Sequence, residues 1–132
     1  MDGALRDFTD VDSSMSGAAG GHALLTTTAD LTRFVDGLFA GRLFERRGTL
    51  KQMTTFVPAS DPDGLTGYGL GLERYRFPGG VEVIGHLGTT AGYRVLAGRL
   101  PAQRATLAMA ITTPDDPTPV LAPALELLAG GS

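Results

Sequence analysis

The apolar residues change their period near residue 68, and this change limits the fold to helices joined to antiparallel strands. Upstream, Thr27 or Thr28 with Asp30 forms a plausible helix start, and apolar residues then recur at helical spacing until Gly41. A second, shorter helix is predicted over residues 47–54. Downstream, apolar residues alternate at positions 68, 70 and 72, which is the period of a strand.

Two turn signals divide the downstream region into hairpins. Residues 78–80 (Pro-Gly-Gly) separate the first strand from a return strand that begins at Val81. Residues 101–104 separate β-rich runs over 93–100 and 106–112. A final helix is predicted from Pro119, with an apolar stripe that would cover one face of the sheet: Val120, Leu121, Ala124, Leu125 and Leu128. The expected fold is α+β, with about four antiparallel strands and flanking helices.

Composition favours one folded domain preceded by a short irregular segment. The chain has 132 residues, of which 42% are hydrophobic and 19% charged, enough apolar material to bury a core. Residues 1–21 are acidic and then glycine-rich, and we interpret them as a lead-in or linker to a domain over 22–132. The start shows no signal-peptide pattern, so the sequence leaves localisation open.

Several classes of partner are disfavoured by the same composition. The net charge is -3 and Lys51 is the only lysine, so a nucleic-acid partner is not expected. No apolar run approaches the roughly 20 residues of a membrane span. The chain has no cysteine, and its two histidines, His22 and His86, lie far apart in the sequence. We therefore predict neither a metal site nor a cofactor.

The stretch over residues 85–93 is the most informative part of the sequence. It reads Gly-His-Leu-Gly-Thr-Thr-Ala-Gly-Tyr, so its glycines would let a ligand approach the main chain. Thr89 and Thr90 place two hydroxyls and two amide hydrogens near the imidazole of His86. Such a strand edge can hold an anionic or acyl ligand. The same residues also fit a simple glycine bend with His86 as an ordinary strand residue, and the pattern alone leaves both interpretations open.

The motif is similar to one in a known family of serine hydrolases. Residues 85–88 followed by Gly92 and Tyr93 resemble the third motif (His-x-Gly in place of Lys-Thr-Gly) of the class C β-lactamase, D-alanyl-D-alanine carboxypeptidase and esterase family. Other phrases of that family occur in the same order: Gly20-Gly21 before residues 26–34, Gly41-Arg42-Leu43, and residues 68–72. The resemblance implies part of a β-lactamase/DD-peptidase-like (serine-dependent acyl-transferase) fold.

The resemblance also implies roles for the motif residues. His86 would assist proton transfer and orient a substrate carboxylate, and the main-chain N–H of Thr89 would be one of two oxyanion-hole donors. Leu87, Gly88 and Thr90 would contact substrate. Leu87 departs from the Thr or Ser found at this position in other forms of the motif. Either Thr89 or Thr90 replaces that hydroxyl, or the substrate lacks a free carboxylate, which keeps an esterase or amidase open.

Two further motifs that this chemistry needs are absent from the sequence. Lys51 is preceded three positions earlier by Gly48, so Ser-x-x-Lys cannot be written, and without asparagine neither can Tyr-x-Asn. We therefore expect the chain to be the C-terminal portion of a longer hydrolase and to be inactive alone. The parent's substrate would be a β-lactam, a D-Ala-D-Ala-like peptide or an ester.

A different class of function stays open beside the enzyme. With no nucleophile motif, the chain could be a non-catalytic ligand-binding or assembly module that uses the same groove. A piece of a two-part fold leaves apolar surface and sheet edges uncovered. We accordingly expect a homo-oligomer, or association with the missing N-terminal part. The family is often periplasmic or secreted, but the sequence does not assign a compartment.

Overall fold

The computed structural model describes residues 26–90, 93–112, 121, 123–125 and 127. Within these residues two helices precede the sheet, α1 over Thr28–Phe39 and α2 over Thr49–Met53. Six strands follow in chain order: β1 Val57–Pro58, β2 Leu65–Tyr68, β3 Glu73–Arg76, β4 Glu82–Thr90, β5 Tyr93–Leu100 and β6 Ala105–Ile111. They form one antiparallel sheet in the order β1-β2-β3-β4-β5-β6, so each strand pairs with its neighbours in sequence. The predicted mixture of helices and antiparallel strands is confirmed.

The first helix begins and ends where the sequence predicted. The Thr27 hydroxyl accepts a hydrogen bond from the Asp30 N–H at 3.1 Å and donates one to the Asp30 carboxylate at 2.9 Å, which caps the helix start. The hydrogen bond from Thr27, followed by that from Arg33, lowers the pKa of Asp30 below its ordinary value. Gly41 follows the helix with φ +71°, a conformation that glycine adopts without strain.

The predicted strand count of about four is wrong, because the sheet has six strands. Residues 68–72 do not form one strand. Instead β2 ends at Tyr68, the Gly69 N–H donates to the Leu72 carbonyl at 2.7 Å, and β3 begins only at Glu73. Glycine at position 71 takes φ +69° in this turn. Apolar residues separated by glycines therefore imitated the period of a strand where the chain makes a tight turn.

The remaining turns agree with the sequence. Residues 78–80 form a short 3₁₀ turn that joins β3 to β4, and residues 101–104 join β5 to β6. The second helix is shorter than predicted, Thr49–Met53 rather than residues 47–54. The two-residue strand β1 was not predicted, since two residues are too short to show a period.

The sheet is covered on both faces. On one face, Leu121 and Leu125 pack into a buried cluster with the strands, and residues 121, 123–125 and 127 are helical. The other members of this cluster are Val81, just before β4, and the strand residues Tyr75, Val83, Leu96 and Leu100. Residues 119, 120 and 128 of the predicted final helix lie outside the described residues. On the other face, α1 packs against β5 and β6.

A polar contact also fastens α1 to the sheet. Asp36 accepts a hydrogen bond from the Thr106 hydroxyl on β6 and lies 3.5 Å from the Arg99 guanidinium on β5. None of the described helices is long and apolar enough to cross a membrane. The boundary proposed between residues 21 and 22, like His22, lies outside the described residues.

Candidate active site

The candidate site residues, His86 to Thr90, lie on the second half of β4, where one edge of the strand is open among the described residues. β3 pairs with β4 only from Glu82 to Gly85, because the chain turns away just before Glu73. β5 pairs with β4 over its whole second half, from His86 opposite Ala97 to Thr90 opposite Tyr93. Within the described residues, the edge of β4 that faces β2 and β3 is therefore unpaired beyond residue 85. An edge of this kind presents free main-chain N–H and C=O groups.

The direction of these main-chain groups follows from one observed hydrogen bond. The Leu87 N–H donates to Oε2 of Glu73 on β3 at 2.9 Å. The main-chain N–H and C=O of Leu87 therefore face the open edge. Main-chain directions repeat every second residue in a strand. The N–H of Thr89 consequently faces the same edge. Thr89 is exposed and pairs with Arg94 of β5 on the other side.

His86 lies along this edge and is held by both of its ring nitrogens. Nδ1 is 2.9 Å from the Leu87 carbonyl oxygen, which can only accept, so Nδ1 donates. Nε2 is 3.2 Å from the Tyr68 hydroxyl at the end of β2 and accepts from it. The two rings meet edge to face, with centroids 6.2 Å apart. Since the His86 side chain is 51% exposed, the ring is both oriented and accessible.

Glu73 is the buried charge of the site. It is 8% exposed, the one buried charged residue among those described. Its Oε2 accepts the Tyr75 hydroxyl at 2.7 Å and the Leu87 N–H at 2.9 Å, and it lies 3.5 Å from Nδ1 of His86. Burial, and then the hydrogen bond to Glu73, raise the pKa of Tyr75, so its phenol keeps its proton.

The other predicted site residues differ in what they expose. Gly88 is exposed, and a Cβ there would meet none of the described residues within 4 Å, so a ligand could approach its main chain. The Leu87 side chain packs against the core cluster opposite Leu96, so Leu87 presents its main chain to the edge. Thr90 is the last residue of β4. Gly92 lies outside the described residues.

An apolar pocket of about 240 Å³ opens between α1 and the sheet beside His86. Among the described residues that line it, His86 is the one ionisable residue and the others are apolar or glycine. Phe34 on α1 lines the pocket and is 55% exposed. The main apolar contributors are Leu31, Phe34, Val35, Leu38, Phe39 and Met53.

Two residues of the site, Tyr68 and Glu73, were missed by the sequence analysis. The sequence places Tyr68 in a predicted strand and in a stretch shared with the family but predicts no contact with His86 for it, and it predicts no role for Glu73. A signal for Glu73 was present, because a carboxylate two positions before Tyr75 shares its face of a strand and is predicted to be buried with it. No group of three metal-ligating side chains occurs in the described part of the chain.

Comparison with known proteins assigns the family. The family model described as Beta-lactamase matches residues 2–130, nearly the whole chain. The chain therefore belongs to the β-lactamase family, as the motif order predicted, and has a β-lactamase-like fold.

Solved structures of amide hydrolases in the same superfamily share this fold. The chain is 27% identical to the D-amino acid amidase from Ochrobactrum anthropi SV3 complexed with L-phenylalanine amide, with a TM-score of 0.69 over 79% of this chain and 32% of that one. For the complex of that amidase with D-phenylalanine, the identity is 26% and the TM-score is 0.67, over 80% of this chain and 36% of that one. A D-stereospecific amidohydrolase from Streptomyces sp. is 36% identical, with a TM-score of 0.54 over 64% of this chain and 25% of that one. This chain thus spans about a third or less of the length of these relatives.

Proposed function

We propose that this chain forms one wall of the active-site groove of an amide hydrolase that works through a serine acyl-enzyme. The open edge of β4 is the observation that supports this proposal. It places the His86 ring, held from both nitrogens, and the Thr89 N–H on the same side of one strand. A groove wall for acyl transfer needs such a combination, a proton-carrying side chain beside a fixed main-chain donor.

Each residue of the wall has a distinct role in this proposal. The Thr89 N–H donates to the oxygen that becomes negative when the substrate carbonyl is attacked. Loss of one such donor typically lowers the rate about 10²- to 10³-fold. His86 assists proton transfer beside the scissile amide, and Tyr68 holds its Nε2. Leu87 lies beside the substrate with its main chain at the open edge, Gly88 leaves room for the substrate because it has no side chain, and Thr90 contacts it at the end of the strand.

The nucleophile in this proposal comes from another segment. Ser-x-x-Lys and Tyr-x-Asn cannot be written in this sequence, so the chain by itself is inactive. The segment that supplies the serine, or a second copy of the chain, would cover the exposed apolar residues near the groove, among them Phe34 and Leu70.

We further propose that the substrate is an amide of a D-amino acid with an apolar side chain. The relatives whose names describe D-amino acid amidase or D-stereospecific activity support the amide and its configuration. The apolar pocket beside His86 supports the side chain. Leu87 offers no hydroxyl for a free carboxylate, which also fits an amide or an ester better than a peptide with a free carboxyl terminus.

The proposal is tested by a two-dimensional NMR titration of the chain with D-phenylalanine amide and, separately, with L-phenylalanine amide. We expect the D form to shift the amide signals of Leu87, Gly88 and Thr89 more than the L form does. His86→Ala should weaken this response, while Glu82→Gln, on the paired half of β4, should leave it unchanged. Shifts confined to α2 or to the 78–80 turn, or no shifts at all, would contradict the groove assignment.

A mass measurement completes this test. After incubation with a penicillin the intact mass should be unchanged, and nitrocefin should not be hydrolysed, because an acyl adduct requires a nucleophile. An adduct on a serine of this chain would contradict the proposal that the nucleophile comes from another segment.

A non-catalytic ligand-binding or assembly module is the second candidate, and the absence of Ser-x-x-Lys favours it for the isolated chain. The two candidates make different predictions about the surrounding gene. A Ser-x-x-Lys motif upstream in the same reading frame supports the hydrolase, whereas a complete reading frame without one supports the module.

A further inference from the structure

Glu73 stands at the point where the β3–β4 ladder ends. Glu73 is the first residue of β3, and its pairing with Gly85 is the final pair of the ladder along β4. The next β4 donor that faces β3 is the Leu87 N–H, but β3 offers no residue opposite it, because the chain turns at Gly71. The Glu73 carboxylate occupies this place, with Oε2 at 2.9 Å from the Leu87 nitrogen. A side chain thus replaces the missing main-chain acceptor.

The hydrogen bond from the Leu87 N–H to Glu73 helps to orient the main-chain groups along the open edge of β4. Beyond residue 85, β4 pairs with β5 on one side only, and a partner on the other side further limits twisting and fraying of its main chain. The bond to Glu73 fixes the peptide plane before Leu87, and strand alternation then fixes the direction of the Thr89 N–H two residues later. The donor assigned to the oxyanion hole is therefore held in place by a carboxylate that lies one strand away.

The same carboxylate influences which nitrogen of His86 carries the proton. Nδ1 of His86 lies 3.5 Å from Oε2 of Glu73 and 2.9 Å from the Leu87 carbonyl, two oxygens that both favour a proton on Nδ1. Nε2 is then free to accept from Tyr68 or, in the groove, from a substrate. The Tyr75 hydroxyl anchors the carboxylate from the core side at 2.7 Å.

We propose that Glu73 is a positioning residue, which sets the tautomer of His86 and aims the Thr89 N–H by holding the Leu87 N–H. This inference rests on the proposed function, since it assigns Glu73 to the same groove. It makes Glu73 act through His86 and Leu87 without touching substrate. The structural alternative is that Glu73 merely satisfies the buried Tyr75 hydroxyl.

The first measurement uses the unaltered, ligand-free chain. A scalar coupling across the hydrogen bond between the Leu87 nitrogen and the Glu73 carboxyl carbon should be detectable in a long-range HNCO spectrum. The main-chain couplings between β4 and β5 serve as the internal reference. If those reference couplings appear and the Leu87–Glu73 coupling does not, the proposed contact is absent and the inference fails.

The second measurement compares Glu73→Gln with Glu82→Gln, a control on β4 whose carboxylate lies 3.7 Å from the Arg76 guanidinium. In Glu73→Gln we expect hydrogen exchange of the Leu87 amide to accelerate about tenfold. The ring ¹⁵N signals of His86 should move from the Nδ1–H pattern toward a mixture of tautomers. Glu82→Gln should change neither readout.

A folded Glu73→Gln variant with unchanged Leu87 exchange and unchanged ring nitrogens would overturn the inference and leave Glu73 a purely structural residue. Both measurements are made without ligand. A failure of D-phenylalanine amide to bind would therefore contradict the proposed function and leave these readouts intact.

Discussion

The two halves of β4 are one continuous strand, yet they have different surroundings. Residues 82–85 pair with β3, and residues 84 and 85 also pair with β5, whereas residues 86–90 pair with β5 and leave their other edge open within the described residues. Each half contains a glycine of the same motif. A Cβ on Gly85 would lie 2.0 Å from the Ala97 carbonyl oxygen, while one on Gly88 would meet none of the described atoms within 4 Å.

This difference shows that two glycines of one motif can serve opposite purposes. Gly85 lies opposite Gly98, and the absence of side chains on both lets the two strands approach closely. Gly88 leaves space beside the open edge, where a ligand can reach the main chain. The paired half is therefore built for stability, and the open half for contact with something outside the strand.

The largest expected effect comes from adding one methyl group to each glycine. Gly85→Ala should lower the free energy of unfolding by about 3 kcal/mol or more, because its Cβ would collide with main-chain atoms that cannot swing away. Gly88→Ala is the matched control and should change it by less than about 1 kcal/mol. Urea denaturation followed by circular dichroism would measure both. Equal denaturation midpoints would remove the distinction between the two halves.

A smaller effect is expected where the core meets the open edge. Tyr75→Phe removes the hydroxyl that donates to Glu73 and should cost about 1–3 kcal/mol, since a buried carboxylate loses a partner. Tyr93→Phe is the control, because Tyr93 is 51% exposed, and it should stay within about 0.5 kcal/mol. If Tyr75→Phe does not change the free energy of unfolding, the hydrogen bond from Tyr75 to Glu73 does not stabilise the fold.

The same tyrosine predicts a loss of stability at alkaline pH. The pKa of Tyr75 is raised by burial and by Glu73, so above about pH 10 the unfolded chain releases a proton that the folded chain retains. The contribution of this group is complete below that pH and declines as the pH rises. Denaturation between pH 8 and 11 should show a steeper decline for the unaltered chain than for Tyr75→Phe. If the stability of the two chains falls equally with pH, the raised pKa of the buried Tyr75 phenol is contradicted.

The smallest effect is expected on the open half itself. His86→Ala should change the free energy of unfolding by no more than about 0.5 kcal/mol, because the ring is half exposed and the hydrogen bonds that it loses can be replaced by water. Denaturation of this variant beside Gly85→Ala gives the sharpest contrast between the halves. A loss above about 2 kcal/mol would mean that His86 supports the sheet rather than the groove.

The parts of this protein that the sequence predicted well are those encoded by neighbouring residues. Thr27 with Asp30 marks the start of α1 and Gly41 follows its end, and the turns at 78–80 and 101–104 separate strands as predicted. The order of short motifs was enough to predict the family that the comparison confirmed. Each of these signals acts over a few residues of chain, where spacing and turn chemistry determine the local conformation.

Contacts between residues that are distant in the chain left no pattern in the sequence. The turn that separates β2 from β3 was hidden because glycines alternating with leucines imitate a strand, and the two-residue β1 has no period of its own. Tyr68 and His86 are 18 positions apart, and Glu73 and Leu87 are 14 apart, so no local pattern links either pair.

The amino-acid sequence by itself therefore determined α1, the turns at 78–80 and 101–104 and the family, because these depend on backbone preference and short-range spacing. Only the tertiary structure decided that β4 is half open and that Glu73 and Tyr68 hold His86 there. Those features depend on where β3 ends and on how far its side chains reach, and sheet pairing alone brings these residues together.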